Sequence, residues 1–230
     1  MPRKGNEPVI IRLEPMRGLR ARVHLDRGEP LEVALEAMER MGLGVGDPLP
    51  SNVRHHLLDA DAEAKIREAA LDLLSHRART RAELRRRLIG KGFRPARVDP
   101  CLTRLEERGL LDDAAVAAAF VRDRIRHRPR GRSRLAQELR AKGVGDTLAR
   151  VVVEAVMEDE ALSETELATR VVEGWLKRQG PRVRQALSSP THTPEREKAR
   201  RHLYQHLARR GFAGPALSAA LELARCLAAR

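Results

Sequence analysis

The sequence predicts a mainly α-helical protein of tandem three-helix repeats in an elongated array, preceded by a small β-containing N-terminal region. Three observations support this fold class. A helix-ending pattern occurs three times along the 230 residues. The composition is aliphatic, with 42% hydrophobic but only 2% aromatic residues, which favours helices packed through Leu, Val and Ala. Apolar and polar residues that alternate as in β-strands are found in residues 8–35.

The helix-ending pattern consists of two leucines that stand eight and four residues before a glycine. Its copies are Leu84, Leu88 and Gly92; Leu135, Leu139 and Gly143; and Leu203, Leu207 and Gly211. The spacing of four puts both leucines on one helix face, and the glycine suits the left-handed conformation that often ends a helix. Each copy therefore predicts a buried helix followed by a turn. The three copies indicate one structural module that is repeated three times.

Two cations accompany each copy of the pattern. Directly before the glycines, where the free carbonyl groups of a helix C-terminus favour positive charge, stand Lys91, Lys142 and Arg210. Eleven residues before the glycines stand Arg81, Arg132 and Arg200. No capping or packing rule requires an arginine at this second position. We therefore interpret these three arginines as functional.

The chain divides into four predicted segments. Residues 1–63 form the small N-terminal β/α region, and the three-helix repeats occupy residues 64–112, 113–162 and 163–230. A lone repeat of about fifty residues buries little apolar surface, so neighbouring repeats are expected to pack against one another.

The N-terminal segment reads as short strands within residues 8–35, followed by a helix near Met41 and a short helix near residues 51–58. Between these helices, "MGLGVGDPLP" contains G-x-G-x-G, but no strand precedes it and no Lys-Ser/Thr follows. A phosphate-binding loop is therefore not predicted.

The first repeat is expected to begin with a helix over residues 64–77 and to continue with a helix capped by Thr80 and Glu83. Its third helix runs to about Arg108. Pro100 leaves two starting points open, one soon after Gly92 and one at Pro100 itself, with Asp99 as the N-cap.

The second and third repeats follow the same plan. In the second, helices are predicted over residues 113–127, 133–142 and 147–157. In the third, a helix over residues 164–179 precedes a long loop at 180–193, a second helix that begins at Pro194 and a final helix with Leu217, Leu221 and Ala224 inward.

The net charge of +13 is concentrated on the repeats. Arginine and lysine exceed aspartate and glutamate in residues 76–108, 122–142 and 196–210, whereas residues 1–63 are slightly acidic. Such local density costs stability through self-repulsion, which an anionic partner relieves. The sequence therefore predicts binding to a polyanion or an acidic protein surface, with a solvated arginine-rich surface as the alternative.

Several classes of protein are not indicated. No apolar run reaches the roughly 18 residues of a membrane span, and the N-terminus lacks a secretory signal, so a cytoplasmic location is predicted. Cys101 and Cys226 stand among leucines and are interpreted as buried thiols. His202 and His206 lack the other ligands of a metal site. No catalytic constellation or cofactor motif is found, so the chain is not predicted to be an enzyme.

The middle of the chain has a specific set of residues, Leu111-Asp112-Asp113, Phe120, Arg130-Gly131, Gln137-Glu138-Leu139 and Lys142-Gly143-Val144. With these residues it resembles the RecX family of recombinase regulators. Similar stretches are "RARTRAELRRRLIGKGF" and "RRHLYQHLARRGF", so the resemblance covers about residues 60–225. It implies a modular helical protein that lies in the groove of RecA–single-stranded DNA filaments and limits their growth, ATPase, strand exchange and co-protease activity in the DNA-damage response.

With this resemblance, a partner-binding surface is predicted on the repeat cations, with the chain as a monomer that contacts RecA and DNA phosphates. Its residues are Arg81, Arg85, Arg86, Lys91, Arg130, Arg132, Arg134, Arg140, Lys142, Arg200, Arg201, Arg209 and Arg210. The alternatives are a general nucleic-acid-binding repeat protein and a structural helical adaptor. Sequence-specific reading is not indicated, because the third helices share no set of Asn, Gln or Arg for base edges.

Overall fold

A computed structural model describes residues 7–229, in which eleven α-helices and three β-strands are formed. These residues fall into two compact units. The first contains Leu84–Leu110 and the chain before Arg79, and the second contains Arg79–Glu83 and the chain from Leu111 onward. The predicted fold class, tandem three-helix repeats after a small β-containing region, is confirmed. The division into four segments stays a prediction.

The first unit begins with a three-stranded antiparallel sheet. Its strands are β1 (Ile10–Met16), β2 (Arg20–Leu25) and β3 (Leu31–Ala34), in that order across the sheet. Alternation places Ile10, Val23 and Val33 on one face, where each is fully buried. Helix α1 (Leu35–Met41) follows, so the strands and the helix near Met41 are as predicted.

A single long helix, α2 (Ser51–His76), occupies the place where two helices were expected. The predicted break near the acidic run does not occur because Asp61 is buried and fully partnered. Its carboxylate lies 2.9 Å from both Arg20 and Lys65 and accepts the Ala34 N–H at 2.9 Å. The acidic residue thereby ties α2 to the sheet.

Two shorter helices follow, α3 (Arg81–Gly90) and α4 (Pro95–Glu107). The first unit contains α4 and the residues of α3 from Leu84 onward. Thr80 caps α3 as predicted, since its Oγ1 accepts the Glu83 N–H at 3.1 Å. Of the two starting points for α4, the one at Pro100 is wrong, because Pro100 lies inside the helix. Asp99, the alternative N-cap, instead pairs with Arg85 at 2.6 Å.

The second unit contains seven helices among the described residues. They are α5 (Asp113–His127), α6 (Arg132–Ala141), α7 (Asp146–Asp159), α8 (Glu164–Leu176), α9 (Pro181–Ser188), α10 (Pro194–Arg209) and α11 (Gly214–Ala228). The segment 180–193, expected to be a loop, contains α9. This helix starts with Pro181 at its first turn and buries Leu187, which a loop prediction based on its Gly, Pro and Ser content missed.

The leucine stripes lie in the cores, as the helix-ending pattern predicts. Leu135, Leu139, Leu203 and Leu207 are fully buried in one continuous core that also contains Trp175. In the first unit Leu84 and Leu88 are likewise fully buried. Burial of each leucine contributes about 1.5–3 kcal/mol before the loss of conformational entropy is subtracted.

The three pattern glycines adopt the predicted left-handed conformation. Gly92, Gly143 and Gly211 have φ of 93°, 87° and 85°. In each copy the residue after the glycine donates its N–H to the second leucine of the stripe, as for Val144 and the Leu139 carbonyl at 3.1 Å. These bonds satisfy carbonyl groups that the helix end would leave free.

The glycines differ in their surroundings. A Cβ on Gly143 would overlap the Cβ of Ala82, and a Cβ on Gly211 would lie within 2.8 Å of the Arg134 backbone nitrogen. A Cβ on Gly92 would have no atom within 4 Å. In the second unit, therefore, the turns at Gly143 and Gly211 require glycine for two reasons: neighbouring atoms leave no room for a Cβ, and φ is positive.

A common set of backbone contacts accompanies each close approach. At the first, Arg81 N–H donates to Asp113 Oδ1 at 2.7 Å. At the second, Arg132 N–H donates to Glu164 Oε1 at 3.0 Å. Both acceptors lie 32 residues further along the chain, at the first residue of a helix, α5 for Asp113 and α8 for Glu164. We call this arrangement the repeat joint. It gives a structural role to the backbone N–H groups of Arg81 and Arg132, two positions where no local rule required an arginine.

The two cysteines have different environments. Cys101 is buried as expected, at 3% exposure, and burial raises the pKa of its thiol. Cys226 is exposed, so its interpretation as a buried thiol is wrong. It lies near the end of α11, on the face away from Ala224 and Ala228, which are the buried residues of that turn.

No helix within residues 7–229 combines the length and the apolar character that a membrane span requires.

Candidate functional site

Helix α6 has one buried face and one basic face. Leu135 and Leu139 are fully buried, whereas Ser133, Gln137 and Arg140 are exposed on the opposite side. The exposed residues stand three or four apart, which aligns them along one stripe of the helix. The repeat core therefore fixes the direction in which this basic face points.

Two depressions lie along the basic face of α6. One is lined by Arg132, Ser133, Ala136, Arg140, Arg150, Val153 and Glu154. The other is lined by Ser133, Arg134, Gln137, Arg140, Ala208, Arg209 and Gly211. Because Ser133 and Arg140 line both, the depressions are neighbours. We call the five lining arginines, which come from α6, α7 and the end of α10, the α6 arginine surface.

Carboxylates hold this surface in place without neutralising it. Asp146 pairs with both Arg140 and Arg150 at 2.9 Å, so one acidic side chain serves two guanidinium groups. Glu154 pairs with Arg132 at 3.4 Å. Exposed pairs of this kind contribute little stability, so the guanidinium groups can exchange these partners for phosphate oxygens at small cost.

Glu138 is the centre of a second arrangement on α6. Its carboxylate lies 2.9 Å from Arg124, 3.3 Å from Arg134 and 3.7 Å from Arg130. The Glu138 side chain is 18% exposed. Three guanidinium groups thus share one largely buried negative charge, which leaves a local positive excess at this end of α6.

Some predicted partner residues have roles inside the second unit. Lys142 pairs with Glu83 at 3.0 Å and lies 5.1 Å from the centre of the Phe120 ring. Arg210 donates from Nη1 to the Pro129 carbonyl at 3.3 Å. Lys142 and Arg210 thus stabilise the repeat joints through these contacts. The sequence pattern alone does not distinguish such a structural role from a role in binding a partner.

The remaining predicted residues are distributed over both units. In the first unit Arg86 and Lys91 are exposed, and Arg85 is paired with Asp99. On α10 Arg201 is exposed, and Arg200 lies 3.5 Å from Glu222 of α11. The predicted partner surface as a whole stays a prediction.

The structure adds arginines that sequence reasoning left out of the predicted surface. Arg150 of α7 joins the α6 arginine surface, and Arg124 of α5 reaches Glu138. Arg150 pairs with Asp146, which is the first residue of α7 but lay one residue before the predicted helix over 147–157, so this ion pair was not predicted. Its proximity to Arg140 depends on how α7 packs against α6 and was not readable.

Aromatic side chains offer little surface for base stacking. Phe212 and Trp175 are 2% and 3% exposed. Arg124 covers Phe120, with its guanidinium 4.5 Å from the ring centre. Nucleic acid on this surface would therefore be held mainly through its phosphates. Within residues 7–229, no three His, Cys, Asp or Glu side chains are grouped so that they could hold a metal ion.

Comparison of the sequence with known proteins shows which family the chain is similar to. Two family models match the chain, that of the first three-helix domain of RecX over residues 67–105 and that of the second over residues 112–152. Regulatory protein RecX of Halorhodospira halophila is 37% identical over 163 residues, which are 71% of this chain and 90% of that protein. Regulatory protein RecX of Prosthecochloris aestuarii is 33% identical over 154 residues, 67% of this chain and 89% of that protein.

Solved structures share the fold. A crystal structure of regulatory protein RecX superposes with a TM-score of 0.72 at 24% identity and covers 92% of this chain and 97% of that one. The crystal structure of RecX from Lactobacillus salivarius gives a TM-score of 0.57 at 19% identity and covers 73% of this chain and 99% of that one.

Proposed function

Because the chain belongs to the RecX family of regulatory proteins, we propose that it binds RecA–single-stranded DNA filaments and inhibits their growth or activity. The observation that carries this proposal is the α6 arginine surface, where Arg134, Arg140 and Arg209 converge from two repeats on one depression. A filament presents phosphates and protein surface side by side. Guanidinium groups bind both phosphates and carboxylates in a bidentate geometry.

The proposed mechanism needs no catalytic group. A protein that occupies the filament competes for the contacts by which RecA subunits add to it, or stabilises a state that hydrolyses ATP slowly. In either case, binding free energy alone produces the regulation. The helical core holds the backbone of these arginines in place before binding, so only their side chains have to be ordered when the partner binds.

A general nucleic-acid-binding protein is the second candidate, and the same arginines favour it. The two functions differ in their dependence on salt. For bare single-stranded DNA, the logarithm of the binding constant falls by about 0.7 for each tenfold increase in salt concentration and each phosphate neutralised. A contact with filament protein retains affinity beyond the salt concentration at which bare-DNA binding is lost.

The deciding measurement is the ATPase rate of preassembled RecA–single-stranded DNA filaments with and without this protein. The salt concentration is set so that the protein no longer binds bare DNA. We expect inhibition to persist. Loss of every effect at that salt concentration would instead identify simple competition for DNA.

Charge-removal variants test the surface itself. Arg134→Gln with Arg140→Gln is expected to weaken inhibition and to reduce the salt slope of DNA binding by about 1.4, for two phosphates lost. Glutamine keeps part of the stem, so packing changes little. The matched control is Arg170→Gln with Arg225→Gln, which removes two exposed arginines from α8 and α11. Equal weakening by both pairs would mean that total charge, rather than this surface, governs binding.

A further inference from the structure

A dense group of cations lies where the loop before α6 meets the end of α10. Gly131 N–H donates to the Arg210 carbonyl at 2.9 Å, and Arg210 Nη1 donates to the Pro129 carbonyl at 3.3 Å. These two bonds hold Arg130, the residue between Pro129 and Gly131, beside Arg210. The cations therefore belong to the second repeat joint and are contributed by two repeats.

The charges in this group are not balanced by nearby carboxylates. Burial lowers the pKa of Arg210, and the neighbouring charges of Arg130 and Arg178 lower it further. Arg178 lies two residues after the end of α8 and is exposed. The end of α8 lies beside α10, because Trp175 packs against His202 with the ring centres 5.8 Å apart.

His206 stands four residues before Arg210 at the end of α10, a spacing that puts both on one side of the helix. Burial and the charges of Arg210, Arg178, Arg209 and His202 lower its pKa from 6.5 to about 4, so its imidazole is neutral at pH 7. The Nε2 atom of His206 is buried and has no hydrogen-bond partner among the described residues. A buried polar atom of this kind has lost its hydrogen bonds to water without replacing them.

The nearest carboxylates already serve other donors. Glu138 Oε1 lies 3.7 Å from Arg130 Nε, too far for a hydrogen bond, and Glu138 also pairs with Arg124 and Arg134. Arg130 Nε has no hydrogen-bond partner within residues 7–229. Glu164, the carboxylate of the joint, accepts the Arg132 N–H. The Nε donor of Arg130 thus lacks an acceptor, and Nε2 of His206 lacks any hydrogen-bond partner, among the described residues of this region.

We propose that Arg130, Arg178, Arg210 and His206 form a phosphate-binding site that closes the joint between the second and third repeats. A phosphate group supplies the two missing features, negative charge and several acceptor oxygens. Three guanidinium groups and an imidazole offer more donors than the two oxygens of a carboxylate can accept. Because Arg130 and Arg210 come from different repeats, the bound anion links them.

The inference rests on the proposed function for the source of the phosphate, which would be the DNA backbone of the filament. The site is distinct from the α6 arginine surface, which consists of Arg132, Arg134, Arg140, Arg150 and Arg209. Free inorganic phosphate has the same chemistry, so it serves as the first probe.

The test follows the imidazole signals of His206 by NMR across pH, in phosphate and in chloride at equal ionic strength. In chloride we expect the signals to titrate near pH 4. In phosphate we expect the midpoint to rise by about one unit or more, because the anion stabilises the protonated ring. The thermal midpoint of unfolding near pH 5.5 is expected to rise with phosphate, since the ligand binds the folded chain.

The variant Arg178→Ala is expected to abolish both phosphate effects, and Arg170→Ala, an exposed arginine on α8, is the matched control that retains them. A short oligothymidylate tests the source. A shift of His206 with oligothymidylate assigns the site to backbone phosphate, and a shift with inorganic phosphate alone assigns it to the free anion. No shift with either probe would overturn the site, as would an equal shift with acetate.

Neither readout contains RecA. If this protein did not inhibit RecA filaments, the phosphate titration would still be readable. If phosphate failed to bind, inhibition through the α6 arginine surface would be unaffected.

Discussion

Gly143→Ala is expected to reduce the free energy of unfolding by about 2–5 kcal/mol. An alanine in the left-handed conformation costs about 1–2 kcal/mol, and overpacking adds about 1–3 kcal/mol. The overpacking arises because the new Cβ would overlap the Cβ of Ala82 at the first repeat joint. Chemical denaturation followed by far-ultraviolet circular dichroism measures the loss.

Gly92→Ala is the matched control, because Gly92 has φ of 93° against 87° for Gly143 and open space around its Cβ position. It is expected to cost only about 1–2 kcal/mol. The double variant Ala82→Gly with Gly143→Ala should recover the overpacking part alone, as a coupling of about 1–3 kcal/mol. Equal costs for the two glycine variants, or no coupling with Ala82, would contradict the joint.

Elements determined by local rules were predictable from the sequence. Helix α5 was predicted at its observed limits, Asp113–His127, because its apolar residues recur at helical spacing and Asp112 or Asp113 can cap it. In the structure the cap is Asp112, whose carboxylate accepts the Ala115 N–H at 2.9 Å. The left-handed glycines followed for the same reason, since a helix end and its glycine are adjacent in the chain.

Elements determined by distant contacts were not predictable. The run around Asp61 reads as a polar break, and it is helical because Arg20, 41 residues earlier, neutralises the buried carboxylate. The role of Asp113 at the first joint depends likewise on Arg81, 32 residues away. Neither the Asp61–Arg20 pair nor the Asp113–Arg81 pair could be predicted from neighbouring residues, because the partners are 41 and 32 residues apart in the sequence.

The candidate site divides in the same way. Positive charge on α6 was predictable, because the leucine stripe fixes which face of the helix is buried. The choice among the cations was not, because Lys142 and Arg130 turn toward Glu83 and Glu138, whereas Arg140 points outward toward Arg150. A charge count gives these lysine and arginine residues equal weight, and only tertiary packing distinguishes them.

Leu139→Ala and Arg132→Ala are expected to separate stability from binding on one helix. Leu139 is fully buried in the core of the second unit, so its truncation should cost about 2–5 kcal/mol through lost burial and the cavity left behind. Arg132 contributes to the joint through its backbone N–H, which an alanine also provides. Its side chain makes one exposed ion pair with Glu154, worth less than about 1 kcal/mol.

The two variants should therefore rank in opposite order in two assays. Thermal melts should show a large loss for Leu139→Ala and almost none for Arg132→Ala. In the filament ATPase assay, measured at a temperature where both remain folded, Arg132→Ala should be the weaker inhibitor, because it removes a guanidinium from the α6 arginine surface. A melt that ranks Arg132→Ala as the less stable variant would mean that the arginine, and not the leucine, faces the core, and the basic face of α6 would then have to be reassigned.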